Sequence, residues 1–122
     1  MQKRILVTFF MVILGGLFLY SCSNDTLVPA QINPATKISF ATNIQPIFTQ
    51  KCIGCHNGTT SPDLRTGNSF ASLTSLGLIN TGSPGQSILY TEMAPNGGMA
   101  GYTNTTDAQV VLLWIQQGAK NN

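Results

Sequence analysis

Histidine is almost missing from this chain: His56 is the only one among 122 residues. A metal held by two histidines of the same chain is therefore excluded, as is acid–base chemistry shared between two imidazoles. Charge is scarce too, with six Lys or Arg against four Asp or Glu. They form no basic cluster of the kind a nucleic-acid surface needs, so nucleic acid is not an expected partner. No segment carries paired carboxylates, and an enzyme in its own right is not expected. Cysteine is limited to Cys22, Cys52 and Cys55, too few for a disulfide framework.

One long apolar run is present. Lys3 and Arg4 precede ILVTFFMVILGGLFL, and the run ends in Leu19-Tyr20-Ser21-Cys22. A basic start followed by an apolar stretch reads as an export signal. The ending resembles the lipobox of bacterial lipoproteins, in which the cysteine is diacylated and becomes the new N-terminus. The competing reading is a retained anchor, but residues 5–20 fall just short of the roughly 17–25 residues that span a bilayer. The expected organisation is a signal peptide over 1–21, a lipidated flexible tether over 22–37 beginning at Cys22, and a domain over 38–122. Lys3 and Arg4 leave with the signal, so residues 22–122 hold four basic and four acidic side chains and are near neutral.

Within the domain the apolar period is helical. Phe40, Ile44, Ile47 and Phe48 share one face, with Thr42 and Gln45 as an expected capping box and Pro46 in the first turn. This helix runs to the Cys52 region. A short helix is expected over Ser69 to Ser75 and another in QSILYTE, followed by an irregular MAPNGGMAGYTNT. In the last segment, Thr106 and Gln109 form a second expected capping box and Gly118 a C′ residue. Val110 to Ile115 between them are all apolar, so this helix should be buried on more than one side. Four short helices joined by long loops make an all-α domain with a thin core, which needs something else to pack around.

The stretch KCIGCHNGTT, residues 51–60, carries the chemistry. Zinc would need two further ligands beside Cys52 and Cys55, and the only histidine directly follows Cys55. A redox dithiol should open a helix beside a βαβ pattern, whereas this pair ends one. A lone disulfide across so short a loop would stabilise little. Covalent c-type haem uses every residue: Cys52 and Cys55 add to the vinyl groups as thioethers, and His56 lies under the iron. The loop after His56 contains Pro62, whose carbonyl is a candidate acceptor for the second imidazole N–H. For the opposite axial position the domain offers Met93 and Met99. Met93 is preferred because it follows the SILYTE helix and is stiffened by Pro95, whereas Met99 lies among Gly and Ala.

With these motifs the chain resembles the small single-haem cytochrome c lipoproteins common in the Bacteroidetes. The resemblance covers roughly residues 38–122 and rests on SFATNIQPIFTQKCIGCH, SFASL, SILY and WIQQGA. Members usually carry Met-Pro-Pro-Gly-Gly where this chain has Met93-Ala94-Pro95-Asn96-Gly97-Gly98, so the resemblance also points to Met93. It implies an all-α cytochrome c fold, with first and last helices crossing beside the haem and Phe48 and Trp114 adjacent there. Arg65 and Tyr90 are secondary candidates for a haem propionate.

The expected function is one-electron transfer between redox proteins at the cell envelope, by a domain held to the membrane through its lipid anchor. By analogy this is the outer membrane, facing the periplasm. A near-neutral domain implies docking that depends weakly on salt. Two alternatives remain open: a haem-based gas binder or sensor with an open sixth position, and a haem subunit of a larger envelope oxidoreductase.

Overall fold

A computed structural model describes residues 32–122; the expected signal segment and Cys22 lie outside the described residues. Those described form an all-α domain with no strand among them. A π turn over Phe40–Ile44 runs directly into α1, Gln45–Lys51. Then come α2, Ser69–Ser75, a 3-10 turn at Pro84–Gln86, α3, Ile88–Met93, and α4, Thr105–Gln116. No helix among them is long and apolar enough to cross a membrane.

The helices fall where the apolar period places them, but both N-terminal caps differ from expectation. The first helical run starts at Phe40, so Ser39 rather than Thr42 caps it, its Oγ accepting the Thr42 N–H. Ser39 N–H in turn donates to Asn43 Oδ1 at 2.9 Å. The remaining first-turn donors are met from the other end of the chain. Phe40 N–H donates to Asn122 Oδ1, and Ala41 N–H to Asn122 O at 2.9 Å. Helix α4 likewise begins before the expected Thr106 cap. Asn104 takes an extended backbone, accepts the Asp107 N–H at 2.8 Å and donates its own N–H to Asp107, a reciprocal capping box. Gly118 ends α4 as expected: at φ +95° it sends its N–H to Ile115 O while Ala119 N–H reaches Trp114 O, a Schellman motif.

The core is small and aromatic. Trp114, Phe48, Ile44 and Leu73 are fully buried, and Trp114 Nε1–H donates to Lys120 O. Helix α4 buries Ala108, Val111, Trp114 and Ile115 along one side and Leu113 on another, as its unbroken apolar run implies. It packs against α3 and the π turn. Phe40 and Phe70 both pack on Trp114, with centroids 5.3 Å and 6.3 Å from it, and Phe40 also meets Phe48 at 6.3 Å. The expected neighbours Phe48 and Trp114 share the core with Phe40 between them.

The chain joins this body before residue 38. Ile32 packs on the core, Gln117 Nε2–H donates to Thr36 O, and Gln117 Oε1 accepts the Ile38 N–H. The expected tether thus already touches the body at Ile32 and Thr36.

Candidate functional site

Helix α1 delivers the cysteine motif at its C-terminal end. Cys52 is the cap, with its N–H on Phe48 O, and the chain then turns tightly, Cys55 and His56 both sending N–H groups to Cys52 O. Successive turns of this kind bring residues three and four apart to one side. His56 Nδ1 lies 3.1 Å from Pro62 O. A carbonyl can only accept, so Nδ1 carries a proton, and in the neutral ring the lone pair is then on Nε2. The Pro62 carbonyl named as a candidate acceptor thus does accept from His56.

The return loop is pinned from below. Leu64 N–H donates to His56 O at 2.9 Å, and the buried Gln45 sends its Nε2–H to Leu64 O at 3.1 Å. Gln45 Oε1 accepts the hydroxyl of Ser69, tying α1, the loop and α2 through one buried side chain. In the sequence Gln45 reads only as a capping residue, and no signal there marks this role.

The facing wall is the end of α3 and the glycine-rich segment after it. Met93, the last residue of α3, is buried. The segment beyond it is irregular, as expected, yet tightly held. Met99 N–H donates to Glu92 O at 2.8 Å, Gly98 N–H to Glu92 Oε2 at 3.0 Å, and Asn96 turns at φ +76°.

Between the walls lies a cavity of about 520 Å³, within the roughly 300–1,000 Å³ range of small-molecule and cofactor sites. Cys52, Cys55 and His56 line it together with Met93, distant from them in sequence, and so does Met99. Leu64, Leu78 and Leu89 make its interior apolar, while Ile88, Met99 and Tyr102 are exposed at its edge. Lys51, also on the lining, pairs with Asp107 at the start of α4 and so joins the cysteine wall to the last helix. Arg65 lies elsewhere, held in a two-pronged pair with Asp63, and its guanidinium keeps the Asp63 carboxyl well below the usual carboxylate range. Tyr90 packs on the core; the tyrosine at the cavity is Tyr102.

The thiols bear on the competing chemistries. Burial, and then Asp107, push the Cys52 thiol up despite the opposing Lys51, and the residue sits at the negative end of a helix. A redox dithiol needs the reverse. Among the described residues no three His, Cys, Asp or Glu side chains are gathered as a metal group. Haem fits what is present: an apolar cavity of cofactor size, two thiols on its wall, an imidazole with one nitrogen free, and a buried thioether on the facing wall. Comparison with protein-family models, with curated proteins and with solved structures returns no match to this chain.

Proposed function

We propose that this protein is a one-electron carrier of the single-haem cytochrome c kind, with one covalently attached c-type haem, tethered at the cell envelope through Cys22. The observation that carries the reading is that Cys52, Cys55, His56 and Met93 line a single apolar cavity. The bound haem supplies the chemistry, one-electron exchange at its iron. Cys52 and Cys55 hold it as thioethers, and Pro62 O fixes the His56 tautomer so that Nε2 is the donor. Met93 offers a soft thioether that favours the ferrous state and raises the reduction potential. If His56 and Met93 both held the iron, little room would be left for a substrate, which fits a carrier better than an enzyme. The apolar walls keep water from the buried side, and the exposed Ile88, Met99 and Tyr102 offer a redox partner largely apolar contact at the mouth.

The test is an optical spectrum of the exported, haem-loaded protein beside Met93→Ala and Met99→Ala. The oxidised wild type should show the weak red sulfur-to-iron charge-transfer band, and Met93→Ala alone should abolish it. Absence of covalent haem after denaturation would sink the reading. A missing band together with ready carbon monoxide binding would hand the site to the gas-binding alternative.

A further inference from the structure

Both methionines of the cavity are joined by one hydroxyl. Thr103 Oγ1 lies 3.1 Å from Met93 O and 3.3 Å from Met99 O. Carbonyls only accept, so the single hydroxyl proton is shared between them. Met93 O belongs to the last residue of α3, among the carbonyls that a helix end leaves without partners. Thr103 is half-buried and itself lines the cavity. It also directly precedes Asn104, the cap of α4, whose partner Asp107 pairs with Lys51 beside Cys52. A polar path thus runs from the methionine wall to the cysteine wall, and Thr103 is its link to both methionines.

We propose that Thr103 is a positioning residue for the axial thioether: by bridging the two carbonyls it holds residues 93–103 as one unit, with Met93 kept on the cavity. The assignment rests on the haem reading above. Met93 sits only one residue from the loop, so a loop free to lift carries the end of α3 with it. A Met93 thioether holding the haem iron would then be released from it more often.

The experiment uses the haem-loaded protein and two variants. Thr103→Val keeps the shape and removes the hydroxyl, while Thr103→Ser keeps the hydroxyl. Hydrogen exchange of peptides covering 94–102 reads the bridge directly, without reference to the iron. One hydrogen bond of ordinary strength changes local opening about fivefold. Exchange in this segment should therefore rise about fivefold in Thr103→Val and stay at the wild-type rate in Thr103→Ser. Carbon monoxide association with the ferrous protein, which must wait for Met93 to leave, should quicken by a similar factor in Thr103→Val only. Unchanged exchange in Thr103→Val overturns the bridge, and so does a Thr103→Ser that behaves like Thr103→Val. Faster exchange with an unchanged carbon monoxide rate overturns the positioning role and leaves a purely structural bond. A wild type without the charge-transfer band overturns the positioning role and the axial methionine together, even where exchange shows the bridge intact.

Discussion

Gly97 is where the methionine wall comes closest to the helix that carries it. A Cβ built there would stand 2.2 Å from Thr91 O, 2.3 Å from Glu92 O and 2.5 Å from Glu92 C. All three atoms are backbone, so no side chain can swing clear. In Gly97→Ala the loop must retreat by roughly 1 Å to reach ordinary contact. That retreat stretches the 2.8 Å bond from Met99 N–H to Glu92 O and the 3.0 Å bond from Gly98 N–H to Glu92 Oε2. Two such bonds at about 1 kcal/mol each, with residual overpacking strain, give a loss of about 2–4 kcal/mol. For a domain of this size the loss is a fall in Tm of roughly 10–25 °C. Two neighbouring glycines are internal controls. At Gly98 the added carbon meets Glu92 Oε2 at 2.6 Å, a side-chain end that can move, so Gly98→Ala should cost about 1 kcal/mol, the worth of one bond. At Gly101 nothing lies within 4 Å, and Gly101→Ala should stay within about 0.5 kcal/mol of wild type. Denaturant and thermal unfolding of the three haem-loaded variants give the ranking. Should Gly97→Ala fall within about 0.5 kcal/mol of Gly101→Ala, the close approach is not a feature of the folded protein.

Two further outcomes test other parts of the structure. The Asp63 carboxyl is held below its unfolded value of about 3.9, chiefly by hydrogen bonds from the Arg65 side chain, so its stabilisation is present above that value and is lost as pH falls through the folded one. Wild type should accordingly lose more stability than Asp63→Asn between pH ~4 and ~2, and equal acid limbs in the two unfolding curves would remove the pair from the account. Under the proposed function, Cys52→Ala with Cys55→Ala would omit the haem and leave a 520 Å³ apolar cavity. At about 24 cal/mol per Å³ a dry void of that size costs on the order of 12 kcal/mol, an upper bound because the mouth is open, yet comparable with a whole domain's stability of about 5–15 kcal/mol. The haem-free variant should lose its cooperative thermal transition and much of its helical circular dichroism. An unchanged cooperative melt would show that the fold does not depend on an occupant.

The helices were legible because the sequence is periodic where they lie and broken by Gly, Pro and Asn between. Ser69–Ser75 and the Gly118 terminus follow directly from that pattern. The caps were not, and the reason is that several residues can serve as a cap. Ser39, Thr42 and Asn43 are all able, and the choice falls to Ser39 once Asn122 returns to satisfy the Phe40 and Ala41 amides. That contact spans the whole domain, and no local propensity encodes it. The place of Phe40 against Trp114 has the same cause. The π turn sets the angle at which the first helical run leaves the last helix, and an apolar period of 3.6 cannot announce it.

The site divides along a different line. The Cys, His and Met side chains that line its cavity could be picked out because these residues are rare here and their chemistry restricts their spacing. The groups that hold them are Gln45, Thr103, Gly97 and Glu92, ordinary residues whose roles exist only in three dimensions. Gln45 acts on His56 through Leu64, and Thr103 acts on Met93 through a carbonyl any residue would offer. The glycine-rich segment shows the point most clearly. Its composition reads as loose, but the absence of a side chain at Gly97 is what lets the loop lie against the Thr91 and Glu92 carbonyls and be fixed there. Glycine in this segment provides closeness rather than freedom, and a hydrogen-bonded wall of the cavity that His56 also lines is the consequence.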